Sequence, residues 1–175
     1  MIRPHRGRLP RIHPSAFIDD SAQVIGEVEI GEESSIWMCV VVRGDVNWIR
    51  IGRRTNIQDG TTVHGMLGTH PVDLGDEVTV GHGVVLHGCT VEHRCLIGMG
   101  ALLLNGSRVG TESIVAAGTL LVEGMQVPPR SLVMGSPGKV KRSLTDAEVA
   151  GIQGYADRYV GYRLDYMSSG SSAGL

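Results

Sequence analysis

Three imidazoles, those of His64, His82 and His87, carry most of the chemistry this chain can offer. An unprotonated imidazole binds a divalent ion through one ring nitrogen at about 2.1 Å. Three such ligands with a fourth position left open form a catalytic metal arrangement. The chain has seven histidines, and a single one is ordinarily a solvated or hydrogen-bonded side chain, so position must separate ligands from bystanders. His5, His13 and His93 fall on no shared position in the pattern below and read as bystanders. His70 falls in a loop. The cysteines, Cys39, Cys89 and Cys95, are odd in number and form no CxxC pair, so neither a disulfide framework nor a cysteine zinc site is expected.

The elements that must position these histidines follow a six-residue repeat. Aliphatic residues recur at Ile12, Ile18, Val24, Ile30, Ile36 and Val42, then after three extra residues at Ile51, Ile57 and Val63. After five more they resume at Leu74, Val80 and Leu86. One step of five reaches Val91, and Ile97, Leu103, Val109, Val115, Leu121, Val127 and Val133 follow in phase. The two slips are expected to be loops. Glycine often follows the aliphatic position, as at Ile30-Gly31, Ile51-Gly52 and Ile97-Gly98, where a corner demands a small or φ-permissive residue. The 175 residues include 25 glycines and one Phe, so the core is built from small aliphatic layers with many turns.

Period six fits neither a helix nor an uninterrupted strand, but a short strand plus a corner, endlessly repeated, produces it. The chain thus resembles the hexapeptide-repeat proteins, whose fold is an all-β left-handed parallel β-helix with three hexads per coil. Twenty hexads, from Ile12 to about Lys139, make between six and seven coils. Residues 1–11 read as an N-terminal segment, 12–143 as the β-helix and 168–175 as a flexible tail. Residues 144–167 read as a C-terminal α-helix, opened by the capping box Thr145-Asp146-Ala147-Glu148 and carrying Val149, Ile152, Ala156 and Val160 at helical spacing.

Counted in hexads, His64 and His87 each take the second position, three hexads apart, and so should stack in adjacent coils about 4.8 Å apart. His82 takes a third position on the preceding face and is not expected to reach them within its own subunit. A trimer with adjoining edges would bring His82 of one chain to His64 and His87 of the next. The alternative is that three histidines on a glycine-rich scaffold merely cap corners.

Longer motifs then add a resemblance. Arg43-Gly44-Asp45, Asn56-Ile57-Gln58-Asp59, His64, Gly81-His82-Gly83-x-x-Leu86-His87-Gly88, Gly98-Met99-Gly100 and Gly135-Ser136-Pro137-Gly138-Lys139 together resemble the γ-class carbonic anhydrases. That resemblance implies a homotrimer with one Zn2+, or Fe2+ or Co2+, per subunit interface, held by His64, His82 and His87. It implies that Gln58 orients water or carbon dioxide, that Arg43, Asp45 and Asp59 form interfacial ion pairs and hydrogen bonds, and that a tyrosine of the C-terminal helix, here Tyr159, faces the site. The activity implied is that of a carbonate dehydratase, a lyase interconverting CO2 and bicarbonate through a metal-activated hydroxide. The sequence departs from the founding archaeal-type pattern: Val46 follows Asp45 and the loop from Gly65 to Asp73 has no glutamate, so the usual proton-shuttle carboxylates are missing. His70 is a candidate replacement. Low turnover is a corollary.

Two other readings remain open from sequence. One is acyl transfer or thioester hydrolysis on coenzyme A substrates, common among hexapeptide-repeat proteins, and the other is a metal-binding structural subunit without turnover. A net charge of −2 offers no basic field for nucleic acid or anionic membrane. No stretch is apolar enough for a membrane helix or a signal peptide, and with three unpaired thiols a cytoplasmic location is expected.

Overall fold

The computed structural model describes residues 1–170, and in it the aliphatic repeat becomes three stacked columns. Strands of mostly two or three residues pair in parallel with their counterparts one coil away. One column runs through Ile30, Ile51, Leu74, Val91, Val109 and Val127. A second takes Ile36, Ile57, Val80, Ile97, Val115 and Val133, and a third Val24, Val42, Val63, Leu86, Leu103 and Leu121. These residues are almost wholly buried in one continuous core. Short strands suffice because a strand inside the stack is held on both sides and its aliphatic side chain, Val or Ile at most positions and Leu74, Leu86, Leu103 and Leu121 at others, fills the axis. The result is a left-handed β-helix of about seven coils with one C-terminal helix.

The two slips differ in kind. The second is a loop, Gly65 to Pro71, closed by a bridge between Met66 and His70. The first is not a loop: Val41–Ile51 stays in strand throughout and absorbs its extra residues as a register shift opposite Gly26 and Val28. The glycines that follow the aliphatic positions serve for their size. A Cβ on Gly52 would lie 2.5 Å from the Gly75 carbonyl carbon, and one on Gly31 would lie 2.7 Å from that of Gly52. Left-handed backbone falls elsewhere, at Gly60, Gly83, Gly100 and Gly118 on one corner, at Gly88, Gly106 and Gly124 on another, and at charged residues on a further one.

The charged corner holds Glu33, Arg54, Glu77, Arg94, Glu112 and Arg130 in successive coils, all with φ between 52° and 59°. Left-handed backbone costs a non-glycine residue about 1–2 kcal/mol, and here the alternating charges pair along the stack. Arg54 reaches Glu33 at 2.9 Å and Glu77 at 3.4 Å, and Arg130 reaches Glu112 at 3.7 Å. Inside the same corner, hydroxyls and a thiol close carbonyls of the next coil: Ser34 to Gly52 O, Thr55 to Gly75 O, Cys95 to Gly110 O and Ser113 to Pro128 O.

The helix, expected over 144–167, spans Asp146–Gly170, so three residues of the expected tail continue it; 171–175 lie outside the described residues. Its start is the expected capping box, with Thr145 N and Glu148 Oε2 2.9 Å apart. It packs on its own coil stack through Ile152, Ala156 and Arg163, and the charged corner anchors it through Arg54–Asp157 and Arg163–Glu33. At the last coil the chain reverses, and Lys139–Ser143 pairs antiparallel with Ser131–Met134.

Candidate metal centre

His64 ends the strand Thr62–His64 and His87 ends Val85–His87; the two strands pair in register, His64 opposite His87. The loop between them therefore leaves the corner count intact. Their rings face each other, with His64 Nδ1 and His87 Nε2 3.2 Å apart. Each outer nitrogen has a partner: His64 Nε2 lies 3.0 Å from Asp45 Oδ1, and His87 Nδ1 lies 2.8 Å from Asn105 Oδ1. Both partners are acceptors, so each outer nitrogen carries the ring proton and the two inner nitrogens face one another as bare lone pairs. That is an unfavourable contact unless a cation lies between them, and the donor set fits a divalent metal.

The surrounding charges keep the pair ready. Burial pushes the His64 imidazole below its ordinary range, and the nearby Arg43 charge adds to this against the pull of Asp45, so the ring is neutral at pH 7. Burial works to raise the Asp45 carboxyl, but hydrogen bonds from Arg43 and His64 overcome it and hold the group below the usual carboxylate range. Arg43 Nη1 donates to Asp45 Oδ2 at 2.6 Å, and Arg43 is itself opposite His64 in the next coil.

His82 is exposed on a different face. Its Nδ1 sits 2.9 Å from Asp59 Oδ2, which fixes the proton there and leaves Nε2 as the free ligand atom. Gln58 and Tyr159 line a pocket of about 390 Å3 with His82, Met99 and Tyr162. Gln58 Nε2 donates to Asn56 Oδ1 at 3.1 Å, and Asn56 Nδ2 donates to Thr79 Oγ1 at 2.9 Å, leaving the Gln58 carbonyl oxygen available. Tyr159 packs edge-on against Trp37 at 5.4 Å. Burial and the Asp59 charge push its phenol up, so it stays protonated at neutral pH. Among the described residues, no three His, Cys, Asp or Glu side chains of one chain are placed to hold an ion.

The sequence-derived candidates thus form two groups, Arg43, Asp45, His64 and His87 on one face and Gln58, Asp59, His82 and Tyr159 on another. His70 joins neither: its Nδ1 meets Thr69 Oγ1 at 3.0 Å, and it lines a separate pocket of about 440 Å3 with Asn105 and Glu123. Asn105 escapes the sequence reading, although its place eighteen residues after His87, one coil further on, is the signal that could have found it.

A hexapeptide-repeat β-helix with paired imidazoles in register defines the class. Over 91% of its length the chain is 48% identical to a carbonic anhydrase of Geobacillus kaustophilus, covering 87% of that protein. Over 87% it is 46% identical to the mitochondrial γ carbonic anhydrase 1 of Arabidopsis thaliana, covering 57% of that protein. Among solved structures, a hexapeptide transferase family protein from Anaplasma phagocytophilum superposes with a TM-score of 0.91 at 37% identity, over 95% of this chain and 98% of the other. No protein-family model matches the chain. The chain belongs to the γ-carbonic-anhydrase-like family of hexapeptide-repeat proteins. Among the described residues no helix is long and apolar enough to cross a membrane.

Proposed function

We propose that this protein is a carbonate dehydratase, interconverting CO2 and bicarbonate at metal sites completed between the subunits of a homotrimer. The observation that carries the reading is the His64–His87 pair, in register, with its two inner nitrogens converging at 3.2 Å. His64 and His87 of one subunit and His82 of the next hold the ion, Zn2+ or else Fe2+ or Co2+. When bound, the metal supplies Lewis acidity and so a nucleophile from water at neutral pH.

The chain's own groups do the rest. Asp45, Asn105 and Asp59 each hold one imidazole by its outer nitrogen. Arg43 keeps Asp45 ionised and aimed at His64. Gln58, its amide nitrogen held by Asn56, offers its carbonyl oxygen to water or to the hydroxyl of bicarbonate. Tyr159 closes the His82 side with a protonated phenol. The protein works in the cytoplasm on this reading, which is supported by three free thiols, two of them buried with pKa raised to about 12 by that burial.

Acyl transfer or thioester hydrolysis is the second reading, favoured by the transferase-family name of the Anaplasma structure. It needs no metal. Stopped-flow CO2 hydration with protein loaded with zinc or, anaerobically, with ferrous iron tests the first reading, with His64→Ala as the blank. A metal-dependent rate lost in the variant supports it. No rate at one ion per subunit turns the choice to thioester chemistry or to a structural metal protein.

A further inference from the structure

Asn105 stands between His87 and Glu123, and the chemistry of the three groups fixes where the hydrogens lie. Asn105 Nδ2 is 3.1 Å from Glu123 Oε1, and Asn105 Oδ1 is 2.8 Å from His87 Nδ1. An ionised carboxylate only accepts, so Glu123 draws the amide NH2 towards itself and turns the amide oxygen to His87. An amide oxygen also only accepts, so His87 carries its proton on Nδ1 and leaves Nε2 bare. That bare nitrogen is the one facing His64. The amide has room to lie there because Gly88 has no side chain: a Cβ at that position would come within 2.5 Å of Asn105 Oδ1.

We propose that Glu123 and Asn105 are positioning residues for the metal centre: a surface carboxylate sets the tautomer of a half-buried ligand through one side-chain amide. The role rests on His64, His82 and His87 being the metal ligands. Asp45 does for His64 directly what Glu123 does for His87 by relay. The relay is strict in polarity. An acceptor at position 123 preserves the tautomer, whereas a donor reverses the amide, turns its NH2 to His87 and moves the ring proton to Nε2, where it blocks the ligand atom.

The test compares wild type, Glu123→Gln, Glu123→Lys, and Glu123→Lys combined with Asn105→Asp. The histidine tautomers are read by 15N NMR of metal-free protein at pH 8, and zinc affinity by chelator competition. Wild type and Glu123→Gln are expected to show His87 protonated on Nδ1. Glu123→Lys is expected to show it protonated on Nε2, with zinc bound about 10–100-fold more weakly. Asn105→Asp in the lysine background is expected to restore both readouts, because a carboxylate accepts from the introduced ammonium and from His87 alike; a general loss of packing would not be so rescued, and an added positive charge acting alone would weaken zinc without moving the ring proton. A zinc-binding wild type whose Glu123→Lys form keeps the Nδ1 proton and the same affinity overturns the role alone. A wild type that binds neither zinc nor ferrous iron overturns the metal reading, and the role with it.

Discussion

Arg54 joins parts of the chain 103 residues apart: its Nη2 donates to Asp157 Oδ1 at 2.7 Å, while its Nη1 donates to Glu33 Oε2 at 2.9 Å. Strand corner and helix are thereby tied through one guanidinium, in a helix that also carries Tyr159. Arg54→Leu should lower stability by about 1.5–3 kcal/mol, the range for hydrogen bonds to charged groups. Denaturant unfolding reads the loss, and hydrogen exchange should rise first over residues 146–170. Unchanged exchange there would mean that the packing of Ile152 and Ala156, the Arg163–Glu33 pair and the aromatic contacts of Trp37 seat the helix without Arg54.

Two glycine substitutions separate size from backbone freedom. Gly52→Ala puts a methyl into the backbone of the next coil and should cost about 1–3 kcal/mol or more by overpacking. Gly60 has φ of 68° and open space around it, so Gly60→Ala should cost only the left-handed penalty of about 1–2 kcal/mol. Thermal melts of the two rank them, and a larger loss at Gly60 would contradict the packing account.

A site split between subunits can be rebuilt from two broken chains. His64→Ala and His82→Ala should each bind no metal alone. Refolded together in equal amounts, random trimers place one intact site in every mixed assembly, so roughly a quarter of the sites should return. Metal content and CO2 hydration measure it. No recovery in mixed trimers of a chain whose wild type binds metal would overturn the site shared between subunits.

Glu148 sets a pH dependence at the helix start. Hydrogen bonds from Arg142 and Thr145 lower its carboxyl from 4.5 to about 2. A depressed folded value means that its contribution is full above pH 4.5 and fades as the pH falls towards 2. Helix content by circular dichroism should therefore fall across that window, and Glu148→Gln should flatten the change. The group is fully exposed, so salt should weaken the effect.

Proton export is where His70 is to be judged. A shuttle at His70 requires that His70→Ala slow CO2 hydration in dilute buffer and that added imidazole restore the rate, although its ring lies against Thr69 in a separate pocket. An equal rate would leave His70 as an ordinary loop residue beside Asn105 and Glu123.

Much of this architecture could be read from residue spacing because the repeat counts coils. Val91 to Val133, spaced by six, map directly onto parallel registers, and the positions of His64 and His87 became a register pair for the same reason. The count could not foresee that Val41–Ile51 stays extended through its extra residues, because spacing records steps and not dihedral angles. Nor does it mark Glu33, Arg54 and Glu77 as left-handed corner residues: they look like any solvated charge, and the insertions blur their spacing. Asn105 and Glu123 are hidden for another reason. Their role depends on which way an amide points, and that is decided by a contact between coils.

The reversal at Lys139–Ser143 has a consequence for what the molecule does not become. A stack of near-identical coils ends in an open row of backbone donors and acceptors, a template on which another copy's first coil could continue indefinitely. Here the last coil instead receives an antiparallel strand bearing Lys139, Lys141 and Arg142, all exposed. On the face that ends in Ser131–Met134 a newcomer would meet the wrong strand direction and the charges of Lys139 and Lys141, so a further coil could not continue all three columns in register.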